Sequence, residues 1–543
     1  MQNNRLLSGP LYWILWLGLA AVYGIGLFVP LLDSDASHHA LIALHFLESG
    51  DYVSLVDRGM DYLDKPHLLF WTAALSYKVF GINTFAFKFP SLLASVFGFY
   101  STYRLGKLLY DELTGRVAAL IHGAACAQLL ANQDVRMDAM LTAFLIFSTW
   151  MLLALARTSK RKYALGGALG LALGFATKGG IGVAVPVLAV GIQLVFERNL
   201  RALLRWHWVL VGVSFLVFVA PVLYAYYVQF DLHPEKEIRG MTGLSGIRFI
   251  LLGQSVERFQ GEAWGSSGST DYFFFFHTLL WAFLPWSLLF YWGWIRGLID
   301  RKGEFLTIGI CTLMLVVLSF AQYKLPHYLN ILFPYMAILV SGRLTAAGEK
   351  TVRTISWVQT GVAVILVAFG LYLNLYIQPI PGRLNQAVAI GIAGVVLFLC
   401  FRQAAGLPRI LAVSVGSLAL VFFSLSANVY PHFAEFDSGY TFARDWNKRP
   451  ADEPLSQFHS YSYTFDFYTK KLHPPLPEGV LPSTPWVLTD STGLSLIRKA
   501  GIRIDQIQSH PHFHVSVLSG EFLNPATRLL ACERRYLLRL GIR

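Results

Sequence analysis

Long apolar stretches separated by short polar breaks set the pattern of this chain. Runs of roughly 17 to 25 residues with few charges are long enough to cross a bilayer as helices. On that criterion about thirteen spanning helices are expected, near 11–32, 84–106, 115–133, 138–156, 163–177, 180–196, 208–229, 272–295, 305–321, 326–342, 354–377, 385–401 and 409–429. The fifth and sixth runs are short enough to form a re-entrant pair. The first, from Leu11 to Leu32, is about twice as long as a signal-peptide core and no small-residue cleavage site follows it, so a retained first span is expected. After Tyr430 the long runs stop. The tail alternates Pro-rich turns with short strand-like pieces (PWVLTD, HVSVLSG) and helix-like ones (LSLIRKAG). The expected organisation is a polytopic α-helical transmembrane domain over 1–430 and a small α/β domain over 431–543. Two long outer loops, 33–83 and 230–271, interrupt the membrane part. The second holds the apolar-periodic IRFILLGQSVERF and the flexible GSSGST, with Gly265 and Gly268 as candidate hinges for a covering loop.

Composition agrees with a bilayer environment. Only 14% of residues are charged and 55% are hydrophobic, against roughly a quarter charged in soluble proteins. A net charge of +12 would suit nucleic acid, but the Lys and Arg lie in short loops between apolar runs, so no nucleic-acid partner is expected. Of the four cysteines, Cys126, Cys311 and Cys400 fall inside apolar runs, which implies no disulfide framework. Alternate loops are basic, for example Arg157, Lys160, Arg161 and Lys162, then Arg198, Arg201 and Arg205. Basic loops stay cytoplasmic. The opposite loops and the C-terminal domain should therefore face outward, which in a bacterium means the periplasm.

The outer loops carry the chemistry. Asp33, Asp35, Asp57, Asp61, Asp64 and Lys65 crowd the first of them, interleaved with apolar helix-like stretches. Ionisable residues at a membrane boundary are costly and point to function. The same face receives DVRMDAM with Arg136 and Asp138, ATKGG with Lys178, VERF with Glu257 and Arg258, His277, and AQYKLPHY with Lys324, His327 and Tyr328. Each has a plain structural alternative: Lys178 as a C-terminal helix charge before Gly179, Arg136 with Asp138 as a local ion pair, Tyr328 as an interfacial anchor. Taken together, two carboxylates, Asp35 and Asp138, can orient or deprotonate an acceptor. Lys65, Arg258 and Lys324 can neutralise a phosphate. Tyr62, Trp71, Tyr323 and Tyr328 can stack on sugar rings. That inventory suits a sugar leaving a lipid-linked phosphate at the membrane surface.

In these motifs and their order the chain resembles the GT-C class of membrane glycosyltransferases. It is similar to the bacterial lipid A aminoarabinose transferases and the wider dolichyl-phosphate-mannose-protein mannosyltransferase group. The resemblance covers about residues 11–430. It implies that Asp35 is the catalytic aspartate and Asp138 the second carboxylate. YLDKPHLLFW matches the second motif, with Asp64 in place of the usual Glu and Lys65 on the phosphate side. Arg136, the Thr177–Gly179 segment, Glu257–Phe259, Leu284–Trp286 and Lys324–Tyr328 follow in the family's order. Ala36 replaces the family's second acidic residue, and His38–His39 stand where Arg–Tyr is usual. These departures fall around the pockets and imply a different sugar or acceptor.

The expected function is an inverting transfer from a polyprenyl-phosphate sugar to a lipid, glycan or protein acceptor at the outer face of the inner membrane. Asp64, Tyr62, His38, His39, Arg136, His277 and Tyr328 are candidate pocket residues. No obligatory cofactor is expected. A divalent cation is an alternative, with Asp35, Asp64 and His39 as candidate ligands; adjacent histidines on a helix point about 100° apart, so at most one joins. A secondary transporter or lipid flippase would show paired halves with broken helices in matching positions, a symmetry the sequence lacks. An oligosaccharide ligase or polymerase would differ in using a diphosphate-linked donor.

Overall fold

The computed structural model describes residues 9–254, 256–257, 271–300, 303–378, 383–402, 404–449, 453–473, 475–515 and 518–541. Every apolar run singled out above is helical, whole or broken. Among the described residues six helices are long and apolar enough to cross a membrane by themselves, seven if the bent pair Glu112–Gly123 and Cys126–Gln133 counts as one span. That is fewer than the expected number. Pro10–Gly26, Ile181–Phe196 and Leu306–Phe320 are shorter. The run near 272–295 breaks into Phe274–Ala282 and Ser287–Asp300, and Arg161–Lys178 carries Arg161, Lys162 and Lys178.

The bundle has a clear centre. Of its apolar window, Asp138–Thr158 buries 94% inside the protein, whereas Asn385–Arg402 buries 22% and His207–Asp231 28%. The latter leaves Val209, Val213, Leu216 and Val217 exposed along its length, as a lipid-facing helix should. Small residues set the closest helix approach. A Cβ at Gly182 would come within 2.1 Å of the Gly174 backbone, so the Arg161–Lys178 and Ile181–Phe196 pair closes tightly through the turn at Gly179, whose φ is +68°. The bent pair is fastened at its break, where the Cys126 N–H donates to the Leu284 carbonyl (2.9 Å) and the Trp286 indole N–H to the Ala124 carbonyl (2.8 Å). The Leu284–Pro285–Trp286 motif thus serves packing.

The loop 33–83 is mostly regular. Ser34 caps the helix Asp35–Ser49 by accepting from the Ala36 N–H at 3.2 Å, while the Ser34 N–H donates to the Ser37 hydroxyl at 3.1 Å. This reciprocal cap satisfies donors that would otherwise be orphaned. Gly50 ends the helix with φ +71°. A short hairpin, Val56–Asp57 with Met60–Asp61, leads to the helix Leu68–Phe80. Phe46, Phe70, Tyr77 and Phe87 form an apolar core with Met137 and Met140 at the end of the central helix and with Phe467 of the C-terminal part.

In the C-terminal part a four-stranded sheet runs in the order Leu455–Phe458, Trp486–Asp490, Glu533–Leu540, Ile504–His512; the first pair is parallel and the others antiparallel. PWVLTD is a strand and LSLIRKAG begins in the helix Ser491–Lys499, as expected. Residues 516 and 517 of HVSVLSG lie outside the described residues, and its described residues are not in a strand. The strand lies just before it, at Ile504–His512, where most side chains are exposed. It is a polar edge strand bonded on one side, and its apolar pattern is correspondingly faint. The unit is tied to the segment that leads into loop 33–83: the Leu31 N–H donates to the Tyr468 hydroxyl (2.7 Å) and the Asp33 N–H to the Asp437 carboxylate (2.8 Å).

Candidate active site

Four carboxylates, Asp33, Asp35, Asp134 and Asp138, line one cavity of about 1010 Å³, and two of them, Asp35 and Asp138, each begin a helix. Asp35 is the first residue of Asp35–Ser49, and Asp138 the first of the central helix Asp138–Thr158. Helix N-termini favour negative charge, because unpaired N–H groups and the helix dipole point there. Each of these two also has a cation. Arg136 Nη1 lies 2.9 Å from Asp35, and the same guanidinium holds Asp134 at 2.9 Å. Lys178 Nζ lies 2.7 Å from Asp138 and 4.8 Å from the centre of the Tyr328 ring. Gly179 caps the Lys178 helix by donating to the Phe175 carbonyl, so the helix-end reading of this lysine and its role as a partner both hold. His327 completes the inner group at 3.8 Å from Asp138. It sits in the KLPHY motif but carried no assigned role in the sequence reading.

The two carboxylates differ in exposure. Asp35 is 57% exposed and Asp138 3%. Asp35 is thus the more accessible of the two, and Asp138 is the buried partner of Lys178.

His38 follows Asp35 by one helical turn and lines the same cavity. Its Nε2 approaches Asp57 at 3.2 Å, without hydrogen-bond alignment. Burial opposes the Asp57 charge, but His38 and Arg58 outweigh it and hold that carboxyl below its ordinary range. Tyr62 and His39 pack on His38, with ring centres 5.3 and 5.5 Å away. Both are buried, so they support the cavity from behind. Burial keeps His39 neutral, pushing its pKa well below the usual value. His67 is likewise pushed down to about 4 by burial; its Nε2 is 2.8 Å from the Val53 carbonyl. It is a structural strut for the loop.

The remaining expected residues lie elsewhere. Asp64 pairs with Arg239, which also reaches Glu257 at 3.1 Å. Its backbone carbonyl accepts from Gln254. Lys65 is half-buried and does not line the cavity wall. Lys324 lies 5.6 Å from the Tyr272 ring centre, and His277 pairs with Asp271 at 2.8 Å. Arg258 and the proposed glycine hinges lie outside the described residues. For a metal, among the described residues no three His, Cys, Asp or Glu side chains converge. Asp35, Asp64 and His39 are not brought together as a ligand set, because Arg136 takes the first, Arg239 the second, and the third is buried.

Several groups escaped the sequence reading. Lys88 is fully buried and donates to the carbonyls of Gly26 (3.2 Å) and Val29 (2.8 Å), capping the end of the first helix. Tyr461 and Tyr463 of the C-terminal part line the cavity. Asp33 and Asp437 form an acid pair at the junction with that part. Burial, then repulsion from Asp437, pushes the Asp33 carboxyl up to about 8, and burial also raises Asp437. A raised carboxyl means the folded protein keeps a proton that the unfolded chain releases above about pH 4. The associated stability is fully present below that pH and is lost as pH climbs through about 8. Melting temperature in detergent should therefore fall between about pH 5 and pH 9, and Asp33→Asn should flatten the decline. An unchanged slope in the variant would exclude the pair as its source.

Comparisons with known proteins bear on the whole arrangement. Residues 64–225 match the family model described as dolichyl-phosphate-mannose-protein mannosyltransferase. The undecaprenyl phosphate-alpha-4-amino-4-deoxy-L-arabinose arabinosyl transferase of Edwardsiella ictaluri is 26% identical over 378 residues, 65% of this chain and 63% of that protein. The protein of the same name from Pseudomonas paraeruginosa is 28% identical over 379 residues, 66% of each chain. The alignments thus span a little under two thirds of these relatives' length. In fold, the crystal structure of ArnT from Cupriavidus metallidurans bound to undecaprenyl phosphate superposes with a TM-score of 0.72 at 16% identity, covering 98% of this chain and 99% of that one. In sequence the chain is similar to the dolichyl-phosphate-mannose-protein mannosyltransferase model over residues 64–225 and to the aminoarabinose transferases over about two thirds of its length, and in fold over nearly its whole length to ArnT, an α-helical membrane protein of the GT-C class.

Proposed function

We propose that the protein is an inverting membrane glycosyltransferase that moves a sugar from a polyprenyl-phosphate donor to an acceptor hydroxyl or amine. The carrying observation is that Asp35, exposed at a helix N-terminus and steered by Arg136, opens onto the same cavity as Asp138 with its Lys178 partner. In a single displacement the acceptor atom attacks the anomeric carbon while the bond to the phosphate oxygen breaks. Asp35 takes the acceptor's proton, and the electron pair leaves on the phosphate. Cations near the leaving phosphate lower the barrier because charge develops there; Arg136, which lines the cavity, is assigned to that side, and Lys65, Lys324 and Arg258 are assigned to it by their motifs alone. Asp138 fixes Lys178 and thereby the electrostatics of the inner wall.

The alternation of basic loops supports about thirteen crossings. It also supports an inner-membrane location with the cavity and residues 431–543 on the periplasmic side, and a membrane domain over 1–430. The relatives named for undecaprenyl phosphate-aminoarabinose support a polyprenyl monophosphate donor. The test is a deletion strain whose envelope lipids, glycans and proteins are compared by mass spectrometry with and without the restored gene. The purified protein is then offered donor lipids with one or two phosphates. A mass increment of one sugar that depends on the gene and on a monophosphate donor is expected. Substrate movement across vesicles without covalent transfer would instead identify a transporter.

A further inference from the structure

The cavity is lined from both parts of the protein. Leu130, Trp281 and Leu325 line it from the membrane part, and Tyr461 and Tyr463 line it from the C-terminal unit. The two tyrosines meet edge to face with ring centres 4.8 Å apart. The Arg58 guanidinium lies 5.7 Å from both ring centres. Tyr463 also stands 4.8 Å from the His38 ring, with its hydroxyl 3.5 Å from Asp57. His38 is one turn from Asp35, and residues three apart share a helix face. The aromatic pair is therefore next to the attacking end of the site.

Its orientation is locked from behind. The Tyr461 hydroxyl donates to Asp466 at 2.7 Å, and that carboxylate is fully buried. Asp466 in turn accepts from the Gln457 amide at 2.9 Å and the His473 N–H at 3.0 Å. Gln457 also accepts from the Ser462 N–H between the two tyrosines at 2.8 Å. A half-buried tyrosine whose hydroxyl is held by a buried network is a pre-organised contact. Burial and the neighbouring carboxylates keep both phenols protonated, so the wall presents neutral rings.

We infer that Tyr461 and Tyr463 form the acceptor subsite, stacking on the C–H face of a sugar ring of a saccharide-bearing acceptor and presenting its nucleophile to Asp35. A donor with an isoprenoid tail reaches the cavity from the bilayer. The wall built by residues after the last apolar run, which lies beside His38 and so next to Asp35, is left for the acceptor. Rigid aromatic rings bind with little loss of rotamer freedom. This inference rests on the transferase reading above.

The test uses the full-length protein in proteoliposomes. The polyprenyl-phosphate lipid fraction of the deletion strain serves as donor and that strain's purified lipopolysaccharide as acceptor. Tyr463→Leu and Tyr461→Leu should each raise the acceptor KM about tenfold, with the donor KM and undecaprenyl phosphate binding unchanged; Tyr463→Phe should restore the wild-type value. A leucine variant with an unchanged acceptor KM, a shift in the donor KM instead, or a phenylalanine variant as impaired as leucine would overturn the subsite while leaving the transferase reading intact. Absence of transfer to lipopolysaccharide by a wild-type protein that modifies a protein acceptor would overturn the subsite alone, and absence of transfer to any envelope lipid, glycan or protein would remove both. Retained binding of undecaprenyl phosphate by the leucine variants excludes misfolding as the cause.

Discussion

Asp35→Asn lowers the transfer rate about a thousandfold, in the middle of the range for loss of a general base, and leaves the melting temperature within a degree or two of the parent. Asparagine keeps the size of the side chain and the cap of its helix, whose donor and acceptor are Ser34 and Ser37. It removes only the lone pair basic enough to take the acceptor's proton. Arg136 loses one partner but retains Asp134 at 2.9 Å and Nε–Oδ2 at 3.0 Å, so no charge is stranded. Asp35 is more than half exposed, and an exposed ion pair contributes about 1 kcal/mol or less. Transfer measured by mass spectrometry alongside thermal unfolding separates the two effects. A variant that keeps more than about a tenth of the rate would show that proton removal from the acceptor is not limiting at this residue.

The opposite balance holds at Asp138. Its partner Lys178 is 9% exposed and Asp138 itself 3%. Breaking a buried pair by removing one charge costs about 3–5 kcal/mol, whereas replacing both with apolar groups is often close to neutral. Asp138→Ala should therefore destabilise the protein strongly in detergent, visible as a lower melting temperature and loss of monodisperse protein. The double variant Asp138→Ala with Lys178→Met should recover most of that stability. It should not recover transfer, because the electrostatics of the inner wall would still be altered. Full recovery of both would reduce the pair to packing. A single variant as stable as the parent would mean that the Lys178 charge is satisfied without Asp138.

How much of this could be read beforehand differs by element. The apolar runs were legible because a bilayer demands both length and hydrophobicity, and each became a helix. Counting crossings was harder. Helices broken at Gly123–Cys126 and at Ala282–Ser287 look like single runs in sequence, since a bend leaves no trace in hydropathy. The edge strand Ile504–His512 was missed for the converse reason: its exposed face is polar, and only its pairing with Glu533–Leu540 identifies it.

At the site, the carboxylates and basic residues stood out because charge at a membrane boundary is expensive. Asp35, Asp138, Arg136 and His38 do line one cavity. Lys65, Lys324, His277 and Asp64 belong to the same motifs yet have partners or positions away from its wall. Motif membership records that a residue is near; a partner 3 Å away depends on side chains from distant segments. Arg136 choosing Asp35 over its neighbour Asp138 is such a case.

The amino-acid order alone thus settled the environment and the chemical inventory, because hydropathy and charge are local properties summed along a chain. Which acid is exposed, which is buried against Lys178, and that tyrosines more than 400 residues away close the same cavity were settled by packing. Those properties exist only between segments, and burial and distance have no counterpart in a linear string.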